Sequence, residues 1–279
     1  MNKILFVVEG EKVEPVVLKK LLTSLIEYND LGNVEIDEII LPVGGNIYNL
    51  YKKIKPFFPL DDCDVIDIIQ DKFEASCKHL KKKYKIDRIK KDYFSEIYLL
   101  FDYDRHANDV KSHDEIIEEM FNIFDNETEN GKLLISYPMI EAVKDFSEKI
   151  CDNDKYCNEY ISKFGDYKNS VAKDRKERHD KHEHFSKYTK DTWDTIISNY
   201  IAKSRCLFDV DYKDYNYEYY LRNITPENIF DKQCKKYVNV NESAMILSAI
   251  PEFIIYYLGE NTFYKYLEKV YGKKCPKKH

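Results

Sequence analysis

Acidic residues stand just beyond two apolar runs in this chain of 279 residues, and their types and spacing define the chemistry open to it. Glu9, Glu11 and Glu14 follow the apolar residues 4–8, with Gly10 directly after the first of them. Asp102 and Asp104 follow the apolar residues 97–101. In extended backbone, positions two apart project to the same side, so Asp102 and Asp104 can present both carboxylates to one point. Two bare carboxylates repel by about 4 kcal/mol at roughly 4 Å when the effective dielectric is near 20. A divalent cation removes that repulsion; without one, one acid of the pair would hold a proton. A phosphate cradle calls for glycines and a lysine at a helix start, whereas three glutamates surround a single glycine here, so the expected guest is a cation. An Asx turn at the strand end is the other reading of Asp102-Tyr103-Asp104.

The elements that must hold these acids are readable from the apolar pattern. Residues 4–8 show no polar alternation, the mark of a short strand buried on both faces. Glu14-Pro15, followed by Val16, Val17, Leu18, Leu21, Leu22 and Leu25, opens an amphipathic helix reaching about residue 28. A turn over 29–33 and a strand over 34–41 come next, then Gly44-Gly45-Asn46 and a helix bearing Ile47, Leu50, Tyr51 and Ile54. Two glycines after a strand permit close approach to a ligand, or simply make a turn. Asp61, Asp62 and Asp64 begin a helical region reaching about residue 85 and are expected to cap it. A helix from about residue 112 to 124 and a strand over 131–136 complete a βαβ…βαβ order, with Glu141 shortly after the last strand. That order predicts an α/β fold, a mostly parallel sheet flanked by helices, whose ligands gather at the carboxyl ends of the strands.

Beyond about residue 145 charged helices dominate, over 173–190, 192–206 and 242–258, so a boundary near 150 is expected: a catalytic domain over 1–150 and a mainly helical region over 151–279. The 24 tyrosines outnumber the 8 glycines threefold. Most lie between 188 and 271, where amphipathic aromatics are expected at a surface used for partner docking or dimerisation. A net charge of −6 argues against holding nucleic acid by bulk electrostatics. Basic clusters over 81–91, 173–190 and from 273 onward are either solvated faces or local phosphate contacts. Arg105, His179, His182 and Lys187 are the candidates for such contacts. Cysteines 63, 77, 151, 157, 206, 234 and 275 form no zinc-like spacing and are expected to be reduced thiols of a cytoplasmic protein. The longest apolar runs are too short to span a bilayer and no leader is seen, so no membrane association is expected.

Glu9-Gly10, Glu14 and Asp102-x-Asp104 together resemble the signature of TOPRIM domains, the metal-binding fold shared by topoisomerases, primases and OLD-family nucleases. Within that group, the stretch from Val8 through Glu14-Pro15, the Gly44-Gly45 loop and Ile135-Ser136-Tyr137-Pro138-Met139-Ile140-Glu141 are similar to RloB-like and OLD-like proteins of bacterial anti-phage systems. Their late segment usually reads Ser-Asn-Pro with a glutamate two or three residues on, so Tyr137 departs from it. The resemblance covers about residues 1–146. It implies a TOPRIM-like sheet with Glu9 as the catalytic or metal-positioning acid, Asp102 and Asp104 as ligands of Mg²⁺ or Mn²⁺, and Glu14 completing a second metal position. Glu141, Gly10, Gly44, Gly45 and Ser136 are further candidates. The implied activity is a metal-dependent endonuclease cutting DNA or tRNA as the toxic effector of a defence system. No Gly-x-x-x-x-Gly-Lys-Ser/Thr loop is present, so ATP-driven sensing is expected from a partner ATPase of ABC or OLD type. The alternative is a regulatory or scaffolding module that needs its partner in order to act.

Overall fold

In a computed structural model the described residues are 2–27, 36–58, 64–84, 87–105, 113–148, 150, 154–167 and 184–272. They belong to two compact units, Met1–Leu134 and Ile135–His279. The division falls earlier than the expected 150, because the residues after 134 pack among later ones. Tyr137 bridges Leu247, and Ala142 joins an apolar cluster with Tyr160, Tyr167, Ala202 and Ile246.

The first unit is built on β1 (Asn2–Val8), whose Ile4, Leu5, Phe6, Val7 and Val8 are fully buried. A strand without polar alternation can be satisfied only in the middle of a sheet. It is: the order is β2-β1-β3-β5-β4, with β2 Ile36–Pro42, β3 Glu96–Asp102, β4 Asp125–Asn126 and β5 Gly131–Ser136. β1 runs parallel to both neighbours, and Val8 lies opposite Pro42 on one side and Leu100 on the other. This register brings the carboxyl ends of three strands to one edge. The expected α/β architecture with a mostly parallel sheet is therefore present, with one antiparallel hairpin, β4–β5, that the apolar pattern did not announce.

Helix α1 (Val13–Glu27) buries Val17, Leu18, Leu21 and Leu22 and leaves Val16 exposed. α2 is Ile47–Ile54. The helical region expected to reach about residue 85 consists of two helices, α3 (Val65–Lys72) and α4 (Glu74–Tyr84), separated at Phe73. Asp64 caps α3, accepting from the Ile66 N–H at 2.8 Å, as its charge and position predict. Asp61, Asp62 and the turn over 29–33 lie outside the described residues. α5 is His113–Ile123.

The second unit is mainly helical: α6 (Asp154–Glu159), α7 (Lys190–Phe208), α8 (Tyr217–Asn223), α9 (Pro226–Gln233), α10 (Ala249–Leu258) and α11 (Glu260–Tyr271), with β6 (Ile161–Lys163) antiparallel to β7 (Ser243–Met245). The helix expected over 242–258 is thus corrected. Glu242 adopts φ 54° and ends the preceding turn, residues 243–245 pair as a strand, and Ser248 caps α10 by accepting from Ile250 N–H. Pro251 is tolerated in the first helical turn, where its missing N–H has no partner to lose. Most of the helix expected over 173–190 lies outside the described residues; Phe185–Lys187 is a 3₁₀ turn.

From Tyr188 to Tyr271 the tyrosines divide between interior and margin: Tyr188, Tyr200, Tyr215, Tyr220 and Tyr266 are at most 2% exposed, whereas Tyr212, Tyr217, Tyr219, Tyr237, Tyr256, Tyr257 and Tyr264 are half-buried. Cys157 and Cys206 are joined by a disulfide instead of being free thiols, whereas Cys77 and Cys234 are free and buried. Cys63, Cys151 and Cys275 lie outside the described residues. Among the described residues, no helix is long and apolar enough to cross a membrane.

Candidate functional site

The turn after β1 is held against its neighbours by backbone and carboxylate together. Val43 N–H donates to the Val8 carbonyl at 2.9 Å and Gly44 N–H to the Glu9 carbonyl at 3.0 Å, which carries the β1–β2 pairing one step past the strands. Gly44 makes this possible with φ +66°, a left-handed conformation costly for residues bearing a Cβ. On the other side, the Asp102 N–H donates to Glu9 Oε2 at 3.3 Å. Glu9 therefore bridges the ends of two adjacent strands, joining positions 93 residues apart.

Glu14 turns back from the first turn of α1. Its Oε1 accepts from the Gly10 N–H at 3.0 Å, and the residue is 5% exposed. A Cβ on residue 10 would stand 2.7 Å from Glu14 Oε2, so the absent side chain of Gly10 is what lets this carboxylate close over the turn. Glu14 thus has a structural task, satisfying an N–H at the helix entry, that its proposed place as a ligand must share.

Past β3 the burial alternates: Asp102 and Asp104 are half-buried and Tyr103 between them is fully buried, donating through its hydroxyl to Asp114 Oδ1 at 3.0 Å. β3 ends at Asp102, so Asp104 lies beyond the regular strand on which the same-side expectation rested. Asp104 Oδ2 receives the Asn46 amide at 3.5 Å, a long contact. Asn46 is also the N-cap of α2, its Oδ1 accepting from Asn49 N–H at 3.0 Å. Sequence reasoning picked out Gly44 and Gly45 and passed over Asn46. An asparagine before an apolar helix signals the cap, but nothing local signals that its amide meets an acid 58 positions away.

The remaining candidates are scattered. Arg105 follows the site directly, half-buried in a turn. Ser136 is 1% exposed, and its hydroxyl accepts from the Ala249 N–H at 3.1 Å, which makes it a capping partner of α10. Glu141 is half-buried in a 3₁₀ turn, Ile140–Lys144, of the second unit. Lys187 is exposed in its own 3₁₀ turn, and His179 and His182 lie outside the described residues. The second unit has a cleft lined by Asp145, Asn199, Tyr200, Lys203 and Ser248. Its polar groups serve the fold: Lys203 donates to the Asp145 carbonyl, and Asn199 binds both the N–H and carbonyl of Ser147.

Whether the rim of the sheet suits Mg²⁺ or Mn²⁺ can be judged from its donors. All are hard oxygens, as those ions prefer, and Mg²⁺ commonly takes only one or two carboxylates and keeps several waters. Among the described residues, however, no three Asp, Glu, His or Cys side chains gather in a group able to hold an ion. The rim therefore offers hard-oxygen donors but, among the described residues, no gathered set of ligands. Comparison of the chain with protein-family models, curated proteins and solved structures finds no match.

Proposed function

We propose that the first unit is a TOPRIM-type centre for metal-dependent cleavage of phosphodiester bonds in DNA or tRNA, serving as the toxic effector of an anti-phage defence system under a partner ATPase. The observation that carries this reading is Glu9 at the end of β1 reaching the backbone of Asp102 at the end of β3, with Asp104 two residues on and touched by Asn46. A bound Mg²⁺ or Mn²⁺ would neutralise charge on the scissile phosphate and lower the pKa of a water. Glu9, steadied by the Asp102 N–H, is suited to orient that water or accept its proton. Asp102 and Asp104 would supply oxygen ligands to the ion. The defence role and the ATPase partner rest on the resemblance of the acid motifs and on the lack of a nucleotide loop.

The test is incubation of the purified chain with plasmid and with total tRNA, in Mn²⁺ or in EDTA. Cleavage that requires the ion and vanishes in Glu9→Ala and Asp104→Ala supports the reading; cleavage that persists in both variants rejects it. A second reading, a regulatory module that acts only with its partner, is favoured by the lack of a three-residue ligand group among the described residues and by the commitment of Glu14 to Gly10 N–H. Co-purification with an ATPase, and cleavage only in the complex, separates the two.

A further inference from the structure

Cys157 in α6 and Cys206 in the last turn of α7 form a disulfide across 49 residues of sequence. Three positions from each cysteine the same two segments meet again: Lys203 Nζ lies 3.7 Å from the centroid of the Tyr160 ring. Lys203 and Cys206, three apart on α7, are neighbours on one helix face, and Tyr160 follows α6 in a turn, donating its N–H to the Cys157 carbonyl at 3.4 Å, so the disulfide and the cation–π contact are adjacent rungs of one ladder. Lys203 is 4% exposed and donates to the Asp145 carbonyl, while Tyr160 gives its carbonyl to Ile246 N–H at 2.6 Å. Apart from these rungs, residues 161–163 are tied down through the three-residue pairing of β6 with β7. Both bonded cysteines are half-buried, within reach of a small oxidant or thiol, whereas the free Cys77 and Cys234 are buried.

We propose that Cys157 and Cys206 are a reversible thiol–disulfide modification site that clamps residues 154–163 onto α7. The proposal is independent of the nuclease reading, since it concerns only the second unit. Oxidation by hydrogen peroxide proceeds by attack of one thiolate on a peroxide oxygen, giving a sulfenic acid and hydroxide; the second thiolate then attacks that sulfur and displaces the oxygen as water. The balance is two thiols and one peroxide to one disulfide and two waters. Reduction by a dithiol returns both protons and both electrons by exchange through a mixed disulfide.

The experiment uses the full chain without denaturant, treated with dithiothreitol or with peroxide, followed by alkylation of free thiols, peptide mass spectrometry and brief trypsin digestion. In dithiothreitol, Cys157 and Cys206 should both become alkylated, and cleavage after the exposed Lys163 should accelerate roughly tenfold as the segment opens locally. The melting temperature should fall by about 10 °C, the scale expected for losing a cross-link over a loop of this length. Peroxide should reverse all three. Cys157→Ser and Cys206→Ser should behave as the reduced form and ignore both reagents. The proposal is overturned if the bond resists dithiothreitol in the folded protein, if the thiols stay reduced in peroxide, or if bond opening leaves the Lys163 cut rate unchanged. Each of these is read on the wild-type chain, whether or not the variants fold.

Discussion

The sheet unit sets three acids half-buried at strand ends and buries few polar groups, Glu14 and Gln70 among them, both bonded to backbone; the helical unit takes many more charged and hydroxyl groups into its interior. Glu9, Asp102 and Asp104 are half-buried at strand ends. Asp194, 8% exposed, is held by the Tyr266 hydroxyl at 2.8 Å and by the ammonium groups of Lys190 at 3.0 Å and Lys269 at 3.4 Å. Tyr200 meets Tyr220 and Ser204 meets Tyr215 through their hydroxyls, and Gln233 binds both the N–H and carbonyl of Met245. Burial pushes Tyr200, Tyr215 and Tyr220 well above the usual phenol range. A polar group inside a core must be satisfied by the core itself, whereas one at a strand end can wait for a ligand. An acid's position in the architecture, more than its chemistry, therefore separates Glu9 as a candidate for function from Asp194 as a fastening.

The contrast breaks most visibly through substitutions at the rim. On the proposed function, Glu9→Ala or Asp104→Ala should lower the cleavage rate by at least about 100-fold, the lower range of a lost acid–base or ligand group. Melting should be nearly unchanged; loss of folding instead would make Glu9 a fastening like Asp194. The reverse is expected in the helical unit. Asp194→Ala leaves the Lys190 ammonium, in a side chain 19% exposed, without that carboxylate and should cost about 2 kcal/mol. That figure is the penalty of a broken buried pair, reduced because the other lysine partners reach solvent. Denaturant titration measures it, and cleavage at low temperature should be unaffected.

Smaller effects sharpen the picture around Asn46. Asn46→Ala should cost about 1 kcal/mol through the lost cap of α2, while Asn46→Ser keeps the cap and removes only the amide that meets Asp104. Equal stability of Asn46→Ser and wild type, with slower cleavage, would assign the amide to the site; equal cleavage would leave it a cap alone. Gly44→Ala should cost about 1 kcal/mol for its left-handed backbone.

The smallest effects are those of pH. Burial alone would raise Asp194, but the Tyr266 hydroxyl and the Lys190, Lys265 and Lys269 ammoniums outweigh it and hold the carboxyl below its ordinary value of 3.8. Its contribution is therefore complete above pH 3.8 and is lost as pH falls through the lower folded value. Glu96 in the sheet unit has the opposite sign: burial raises it from 4.5 despite the Tyr98 hydroxyl, so its ionisation is a penalty above the folded value that disappears as pH drops toward 4.5. Acid titration of stability in Asp194→Asn and Glu96→Gln should show a flatter acid limb in the first and a small gain near neutrality in the second.

Long, strongly patterned elements were legible from sequence and short ones were not. β1, β3 and α7 appear where their apolar residues predict them, because a buried strand or a three-turn stripe leaves several positions of signal. β4, β6 and β7, of two or three residues each, carry no period and exist because a partner strand is at hand. Tyrosine is ambiguous for a related reason. Its ring suits an interface or a core equally, and only the neighbours of its hydroxyl decide which. Asp102 ends β3 and Asp104 lies two residues past it, while the bond of Glu14 to Gly10 N–H and the long contact of Asn46 with Asp104 depended on side-chain directions that spacing does not reveal.

Taken alone, the chain of residues determined where strands stop, that acids stand at those stops, and which helices bear an apolar face, since these are local periodicities set by backbone geometry. The tertiary structure decided which ends meet. Glu9 reaching Asp102, Cys157 bonding Cys206 and the burial of Tyr200 against Tyr220 and of Tyr266 against Asp194 each join residues apart in sequence, through packing and register that no local pattern encodes.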